Sequence, residues 1–263
     1  MSTGKAWSRE QLVIVCGFYF TLPFGQMHAR NPRVVRLAKL LGRTPGSVAM
    51  KLVNFASLDP EHQARGVRGL RGTSHADQDI WDEFRQDWNK MSLTSEKALQ
   101  HIEAKHGKAV ELPETGGESS GMKTETERTL LVRTMQGYFR KVILAAYNSR
   151  CCVTGNPVED LLIASHILPW STFPAERLNP RNGLCLSAHF DRAFDRGLIA
   201  FDGDFRLIVS PALRVHLPNE AIQHEFIDRE GRSLEMPERF PPEREFLAVH
   251  RQTVFKSRKT PRG

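Results

Sequence analysis

Residues 152–202 constrain the fold of this chain more than any other segment. A short, branched apolar run, 161–165, is typical of a β-strand and ends at His166. Further along, Asn182 and the glycine after it form a turn dipeptide that leads into a second apolar run, 184–186. The segment therefore predicts two strands joined by a loop.

A short helix is predicted directly after the second strand. Ser187 is a residue type that favours the N-cap of a helix, and Gly197 is typical of the position just after the last helical turn. Asp191 lies between them. In such an arrangement we expect His166, Asn182 and Asp191 to converge where the strands meet the helix.

This arrangement resembles the HNH endonucleases, whose core is a ββα unit around one metal ion. The bacterial branch of that family carries four ordered motifs: a Cys-Thr-Gly stretch, A-x-H-I-x-P-W, N-G-L-x-L and F-D-R-G-L. Here they occupy residues 152–155, 164–170, 182–186 and 194–198. The resemblance implies an α+β fold with a ββα-metal nuclease core, and metal-dependent hydrolysis of phosphodiester bonds.

The resemblance also assigns roles to individual residues. His166 is the general base on the first strand, and Asn182 pins the loop between the strands through its amide. Nine residues after Asn182, the usual spacing of the family reaches Asp191, while His189 lies two residues earlier. As metal ligands we rank Asp191 first, His189 second and Asp195 third. His189 also joins His166 and Asn182 in the candidate catalytic set.

Simpler roles stay open for the same residues. His166 has apolar neighbours and is alternatively a packing histidine. Asn182 is alternatively a plain turn residue, since an Asn-Gly turn has the same sequence. Asp195 could form an ion pair with Arg192 or Arg196 instead of binding a metal ion.

The expected metal ion is Mg²⁺ or Mn²⁺, because the candidate ligands are oxygens and imidazoles. Many HNH sites carry an acid immediately before the base, but this chain has Ser165 there. Water, or a residue that the motifs do not identify, would then complete the ligand set. A four-thiolate zinc site is not expected because no C-x-x-C pair is present. The four cysteines are Cys16, Cys151, Cys152 and Cys185.

The charge distribution points to a polyanionic partner. The formal net charge is +7, and the sequence pI is about 9.4. Residues 25–73 contain nine basic and two acidic residues, an excess of seven that equals the net charge of the whole chain. A basic footprint of this kind is typical of nucleic-acid binding.

Residues 32–55 predict a helix, a tight turn and a second helix within this basic segment. This pattern resembles a helix-turn-helix or Myb-like DNA-binding unit, in which the helix after the turn enters the major groove. The implied DNA contacts are Lys51 and Asn54 to bases, and Arg43 and Ser47 to phosphates. The alternative is a helical packing or dimerisation module with a solvated basic face.

Residues 65–72 alternate arginine and glycine, and Arg68 and Arg71 lie in this stretch. Such a sequence suits a flexible loop along a phosphate backbone. A solvated loop without a partner is the alternative.

The predicted domains are a mainly helical, helix-turn-helix-like N-terminal domain (1–110), a linker (111–124) and an HNH nuclease domain with a C-terminal cap (125–263). The linker prediction rests on the Pro-, Gly-, Ser- and Glu-rich stretch 113–120. No apolar run reaches the length of a membrane span, so we expect a cytoplasmic protein with no membrane partner.

The sequence therefore predicts a metal-dependent DNA endonuclease. By resemblance, its substrate is double-stranded DNA, its role is restriction or defence against foreign DNA, and it acts as a homodimer. The alternative from another class is a non-cleaving DNA-binding regulator with a degenerate HNH unit. An RNA-directed nuclease is a third possibility, although no aromatic base-stacking motif favours it.

Overall fold

The computed structural model describes residues 6–64, 66, 73–107 and 125–257. The chain divides into two compact units, Met1–Val142 and Ile143–Gly263, called here the N-terminal and the C-terminal unit. The described part of the first is helical, and the second combines helices with small antiparallel sheets, so the fold is α+β. None of the helices in these ranges is long and apolar enough to cross a membrane. The predicted linker, 111–124, lies outside the described residues.

The helices of the N-terminal unit begin where the sequence offers caps. Ser8 forms a capping box with Gln11 ahead of the first helix. The Thr44 side chain accepts a hydrogen bond from the Ser47 amide (3.2 Å), so the helix after the tight turn begins at Pro45. The helices are α1 (Arg9–Tyr19), α2 (Pro32–Leu40), α3 (Pro45–Leu58), α4 (Pro60–Ala64), α5 (His75–Gln86), α6 (Trp88–Lys105) and α7 (Glu125–Ala146).

Helix α1 lies at the centre of the N-terminal unit. Its residues 12–17 are buried without a break, and it packs against α3, α5 and α6. The aromatic residues Trp81, Phe84 and Trp88 surround Phe20 with ring centroids 4.6–5.5 Å away. Aromatic rings at these separations contribute packing beyond their buried area. Trp81 and Phe84 are buried and belong to the core, and Trp88 is half-buried at its edge.

The first part of α7 belongs to the N-terminal unit. The Tyr138 hydroxyl donates a hydrogen bond to the carbonyl oxygen of Gly17 (3.2 Å), and Lys141 forms an ion pair with Glu96 (3.1 Å). The division between the two units therefore falls within α7, after Val142. The nuclease domain predicted from the sequence, 125–263, includes this whole helix.

The C-terminal unit contains the strand–loop–strand–helix order predicted from the sequence. The first two strands are antiparallel, with Leu162 opposite Ser187 and His166 opposite Gly183, and the helix after them packs on both. Two more antiparallel strands follow. The elements are β1 (Leu162–His166), β2 (Gly183–Ser187), α8 (Ala188–Asp195), β3 (Ile199–Phe201), β4 (Leu207–Val209), α9 (Pro211–Arg214), α10 (Glu220–Glu225) and α11 (Arg244–Thr253).

The chain returns to the end of α8 after helix α11. Gly197 has a φ angle of +65°, and a Cβ atom there would lie 2.0 Å from the carbonyl oxygen of Val254. The amide of Lys256 donates a hydrogen bond to the carbonyl oxygen of Gly197 (2.9 Å). Only glycine combines this backbone conformation with so close an approach. The glycine of the F-D-R-G-L motif therefore docks the C-terminal segment on the strand–strand–helix unit.

A buried ion pair joins α3 to α5 in the N-terminal unit. The Lys51 ammonium lies 2.8 and 2.9 Å from the two carboxylate oxygens of Asp77, whose side chain is fully buried. Asp77 also accepts a hydrogen bond from the Ser74 amide (3.0 Å) at the start of α5. Lys51 and Asn54 are only 8% and 9% exposed. The expectation that these two side chains reach DNA bases is therefore corrected, because both point into the protein.

We expect Lys51→Ala to reduce stability rather than nucleic-acid affinity. Removing the ammonium leaves the Asp77 carboxylate buried without its cation, which typically costs about 3–5 kcal/mol of unfolding free energy. Urea unfolding followed by circular dichroism measures the loss. The matched control is Lys39→Ala on exposed α2, where a change within about 0.5 kcal/mol is expected. Equal stability of the two variants would contradict a structural role for the pair.

Candidate active site

The loop between β1 and β2 is fixed by the side chain of Asn182, which is 1% exposed. Its amide oxygen accepts a hydrogen bond from the Leu168 amide (2.8 Å), and its amide nitrogen donates to the carbonyl oxygen of Glu176 (3.1 Å). The backbone adds a bond from the Ile167 amide to the Asn182 carbonyl oxygen (2.9 Å). These bonds link both ends and the middle of the loop directly after His166. Such pinning is the role that the resemblance implies for this residue.

His166 lies at the end of β1 with its ring held on one side. Its Nε2 lies 2.9 Å from the carbonyl oxygen of Arg177. A carbonyl oxygen only accepts hydrogen bonds, so Nε2 carries the hydrogen, and Nδ1 carries the lone pair of the neutral ring. Burial lowers the pKa of His166 below its ordinary value of 6.5, and the bond to Arg177 partly opposes that shift. The imidazole is therefore neutral near pH 7.

The loop also holds His166 through Trp170. The indole ring contacts the imidazole edge-on, with the ring centroids 5.3 Å apart. Arg177 in turn donates a hydrogen bond from Nε to the carbonyl oxygen of Trp170 (2.9 Å). Arg177 thus holds the imidazole through its carbonyl group and the Trp170 backbone through its guanidinium group, which also lies over the indole ring, 5.2 Å from its centroid.

An open cleft of about 590 Å³, called here the cleft, lies between β1, α8 and α11. It brings together His166, Asp191 and Asp195, three of the site residues predicted from the sequence. Its other polar lining residues are Ser165, Arg192, Arg196 and His250. The cleft combines two imidazoles, two carboxylates and two guanidinium groups, a set able to bind a cation and a phosphate.

The two carboxylates of the cleft lie one helical turn apart on α8. Partial burial raises the pKa of the Asp195 carboxyl, and repulsion by Asp191 raises it further, while Arg192 and Arg196 oppose the shift. A divalent cation would relieve that repulsion. No group of three or more His, Cys, Asp or Glu within the described ranges could hold a metal ion alone. Two carboxylates fit Mg²⁺ or Mn²⁺, because Mg²⁺ often binds one or two carboxylates and keeps several waters.

His189, ranked second as a metal ligand and included in the catalytic set, lies elsewhere. Its exposed ring contacts Phe226, with the centroids 5.0 Å apart, and it does not line the cleft. Residues two apart on a helix point in nearly opposite directions, and His189 lies at the entry of α8 while Asp191 lies within its first turns. Of the three ranked ligands, the structure brings Asp191 and Asp195 to the cleft and places His189 outside it.

His250 on α11 is a cleft residue that the sequence motifs do not identify. It is 3% exposed, and its ring stacks on Phe194 of α8 with centroids 3.7 Å and planes 6° apart. Its Nε2 donates a hydrogen bond to the carbonyl oxygen of Phe194 (3.1 Å). Burial lowers the pKa of His250 to about 4, with Arg251 adding to the shift and the Phe194 bond opposing it. Its 84-residue separation from His166 leaves no local spacing that could reveal it.

The DNA contacts predicted in the N-terminal unit are mostly engaged within the protein. Arg43 donates hydrogen bonds to Ala6 and Gln11 and lies over the Trp7 ring, 4.4 Å from its centroid. Ser47 donates from its hydroxyl to the carbonyl oxygen of Thr44 (2.9 Å). Arg68 and Arg71 lie outside the described residues. The exposed cations of this region are Arg30, Arg33, Arg36 and Lys39, on α2 or just before it.

A strand–strand–helix unit with an imidazole and carboxylates facing one cleft is the arrangement expected of a ββα nuclease. Residues 151–202 match the family model described as HNH endonuclease, and this segment runs from the start of the motifs through β1, β2 and α8. The matched segment is therefore an HNH endonuclease unit, which confirms the predicted family. The match covers about a fifth of the chain and points to nuclease activity. A search of the curated proteins finds no match.

We expect His250 to make the stability of the protein depend on pH. The unfolded chain binds a proton with an ordinary pKa of 6.5, whereas the folded protein does so only near pH 4. The contribution of His250 to the free energy of unfolding is thus fully present above pH 6.5. It falls by about 3 kcal/mol in total as the pH drops from 6.5 to about 4. Urea unfolding at pH 7 and pH 4.5 should show a smaller loss in His250→Phe than in the unsubstituted protein. Equal losses of unfolding free energy in the two proteins would contradict the assignment of this pH dependence to His250. Replacement of exposed His28 by phenylalanine is the matched control and should leave the loss as it is in the unsubstituted protein.

Proposed function

We propose that this protein is a metal-dependent endonuclease that hydrolyses phosphodiester bonds in DNA at the cleft. The observation that carries the proposal is the tautomer of His166, which directs a basic nitrogen away from the Arg177 carbonyl while the cleft holds two carboxylates nearby. The family match of residues 151–202 supports a nuclease independently of this geometry.

His166 is the proposed general base. Its Nδ1 would accept a proton from the water molecule that attacks phosphorus. The bond from Nε2–H to the Arg177 carbonyl oxygen orients the ring and stabilises the positive charge that forms on it. The lowered pKa of His166 keeps the ring unprotonated near pH 7, so that the base is available.

Asp191 and Asp195 are the proposed ligands of Mg²⁺ or Mn²⁺. When bound, such a cation supplies positive charge to the phosphate oxygens and to the leaving oxygen. Arg192 and Arg196 line the same cleft and would attract the phosphate through charge-assisted hydrogen bonds. Asn182 would act indirectly, by keeping the loop and thereby His166 in position.

The N-terminal unit is the proposed DNA-holding part of the protein. Support comes from the exposed cations Arg30, Arg33, Arg36 and Lys39, which lie on or just before α2. A basic surface follows the phosphate backbone whatever the base sequence. Arg43 and Ser47 remain candidate phosphate contacts, although both have partners within the protein.

The remaining parts of the proposal concern the substrate and the assembly. By resemblance to the HNH endonucleases, we propose double-stranded DNA as the substrate and restriction or defence against foreign DNA as the role. Cutting both strands of a duplex at once takes two clefts, which a homodimer would supply. The protein is proposed to act in the cytoplasm, where such DNA is met.

Supercoiled plasmid tests the nuclease directly. We expect nicking or linearisation with Mg²⁺ or Mn²⁺ and none with EDTA. Loss of the general base in His166→Ala should reduce the cutting rate about 10²–10⁴-fold while plasmid binding remains. Agarose electrophoresis and a gel-shift assay measure the two effects.

His189→Ala is the matched control for this assay, because His189 is a histidine of the same unit outside the cleft. It should cut at the normal rate. If His166→Ala cuts as fast as this control, the base assignment is wrong. Binding without cutting under every metal would favour the non-cleaving regulator.

Salt dependence tests the surface around α2. Replacing Arg30 and Lys39 by alanine should weaken DNA binding and reduce the slope of log K against log salt by about 0.9 for each lost phosphate contact. Fluorescence anisotropy with a labelled duplex at several salt concentrations measures this slope. Exposed Lys97 on α6 is the matched control, and its replacement should leave the slope unchanged. The same slope in both variants would remove α2 from the DNA-binding surface.

A further inference from the structure

Two buried polar atoms in the wall of the cleft are left without a hydrogen-bond partner among the described residues. They are the hydroxyl oxygen of Ser165 and the Nδ1 atom of His250. Ser165 is 2% exposed and His250 is 3% exposed, and both line the cleft. Buried polar groups are nearly always hydrogen-bonded to protein, water or a ligand. Two such atoms in one cleft therefore point to a bound group.

The chemistry of His250 defines what kind of group this is. Its Nε2 carries the hydrogen that is donated to Phe194, so Nδ1 can only accept a hydrogen bond while the ring is neutral. The parallel stack on Phe194 fixes the direction of that lone pair. Ser165 Oγ can accept as well. The partner of His250 Nδ1 must therefore be a hydrogen-bond donor, which excludes a phosphate oxygen there, and the same donor suits Ser165 Oγ, whose hydroxyl can also donate.

The water ligands of a divalent cation are donors of this kind. Asp191 and Asp195 are two carboxylates, and among the described residues no group of three or more His, Cys, Asp or Glu is placed to hold a metal ion by itself. A hard cation bound by one or two carboxylates keeps several waters, and each of these needs an acceptor. Acceptors around a metal site orient its inner ligands and affect its affinity strongly.

We propose that His250 Nδ1 and Ser165 Oγ accept hydrogen bonds from the water ligands of the cation that Asp191 and Asp195 hold. This inference rests on the proposed function and adds a positioning role for α11, which lies outside the segment matched to the family. It also gives Ser165 a role at the position where many HNH sites carry an acid. Both residues act through water and not as direct ligands.

Binding of Mn²⁺ alone to the full-length protein, without DNA, tests this proposal. Electron paramagnetic resonance of free Mn²⁺ at pH 7.5 gives the dissociation constant. Ser165→Ala and His250→Phe each remove an acceptor, and we expect each to weaken binding about tenfold. His189→Phe, on α8 but outside the cleft, is the matched control and should bind as the unsubstituted protein does.

Two variants of His250 distinguish a role as hydrogen-bond acceptor from a role in packing against Phe194. His250→Phe keeps the ring stacked on Phe194 but has no acceptor, whereas His250→Gln keeps an acceptor and loses the stack. An acceptor role predicts weaker Mn²⁺ binding in the phenylalanine variant than in the glutamine variant. A packing role predicts the reverse order, and that result would overturn the proposal. Likewise, Ser165→Thr should restore the affinity that Ser165→Ala loses.

Asp191→Asn distinguishes this inference from the proposed function. If it loses Mn²⁺ while Ser165→Ala and His250→Phe bind normally, the metal site stands and the present inference fails. Normal binding by Asp191→Asn would overturn the proposed ligands together with the inference. Thermal melting establishes which variants are folded, and Ser165→Ala, which loses only an unpartnered hydroxyl, keeps the test valid if His250 cannot be replaced.

Discussion

The candidate active site depends on the hydrogen bonds of the Asn182 amide. A loop of 16 residues joins β1 to β2 and has to return over the end of β1, where His166 lies. The buried amide joins Leu168 to Glu176, and the Asn182 carbonyl oxygen holds Ile167. The loop can then present the Arg177 carbonyl group to the His166 ring. The tautomer inferred for His166 is thus a consequence of backbone geometry that the Asn182 side chain maintains.

His166 and His250 follow the same physical rule. Each donates Nε2–H to a backbone carbonyl group, and burial lowers the pKa of each, so both present a neutral Nδ1 near pH 7. The charges of the cleft come from α8, whose two acids and two arginines share one lining. The neutral acceptors of the cleft therefore lie on the strand and on α11, whereas its charged side chains, the proposed partners of a cation and a phosphate, all lie on α8 or at its C-cap.

Local signals predict the strand–loop–strand–helix unit, because a branched run, an Asn-Gly turn and a helix stop signal each act within a few residues. Ser187 occupies the predicted N-cap position, although its side chain makes no capping bond. Contacts between segments that are distant in the sequence cannot be predicted from such local signals. The residues around Lys51 suggest an exposed cation, but in the structure Lys51 is buried because it pairs with Asp77 on α5. His250 reaches the cleft only through the stack on Phe194.

The close approach of the Val254 backbone to Gly197 determines how long a segment would have to be moved into another protein to keep this cleft intact. The matched segment ends at residue 202, yet its helix is covered by residues 250–256, which dock where a side chain at position 197 would not fit. A fragment cut at the family boundary would uncover the Phe194 ring and lose one wall of the cleft. The intact cleft therefore extends through α11, and a graft of this unit into another protein has to carry that helix along.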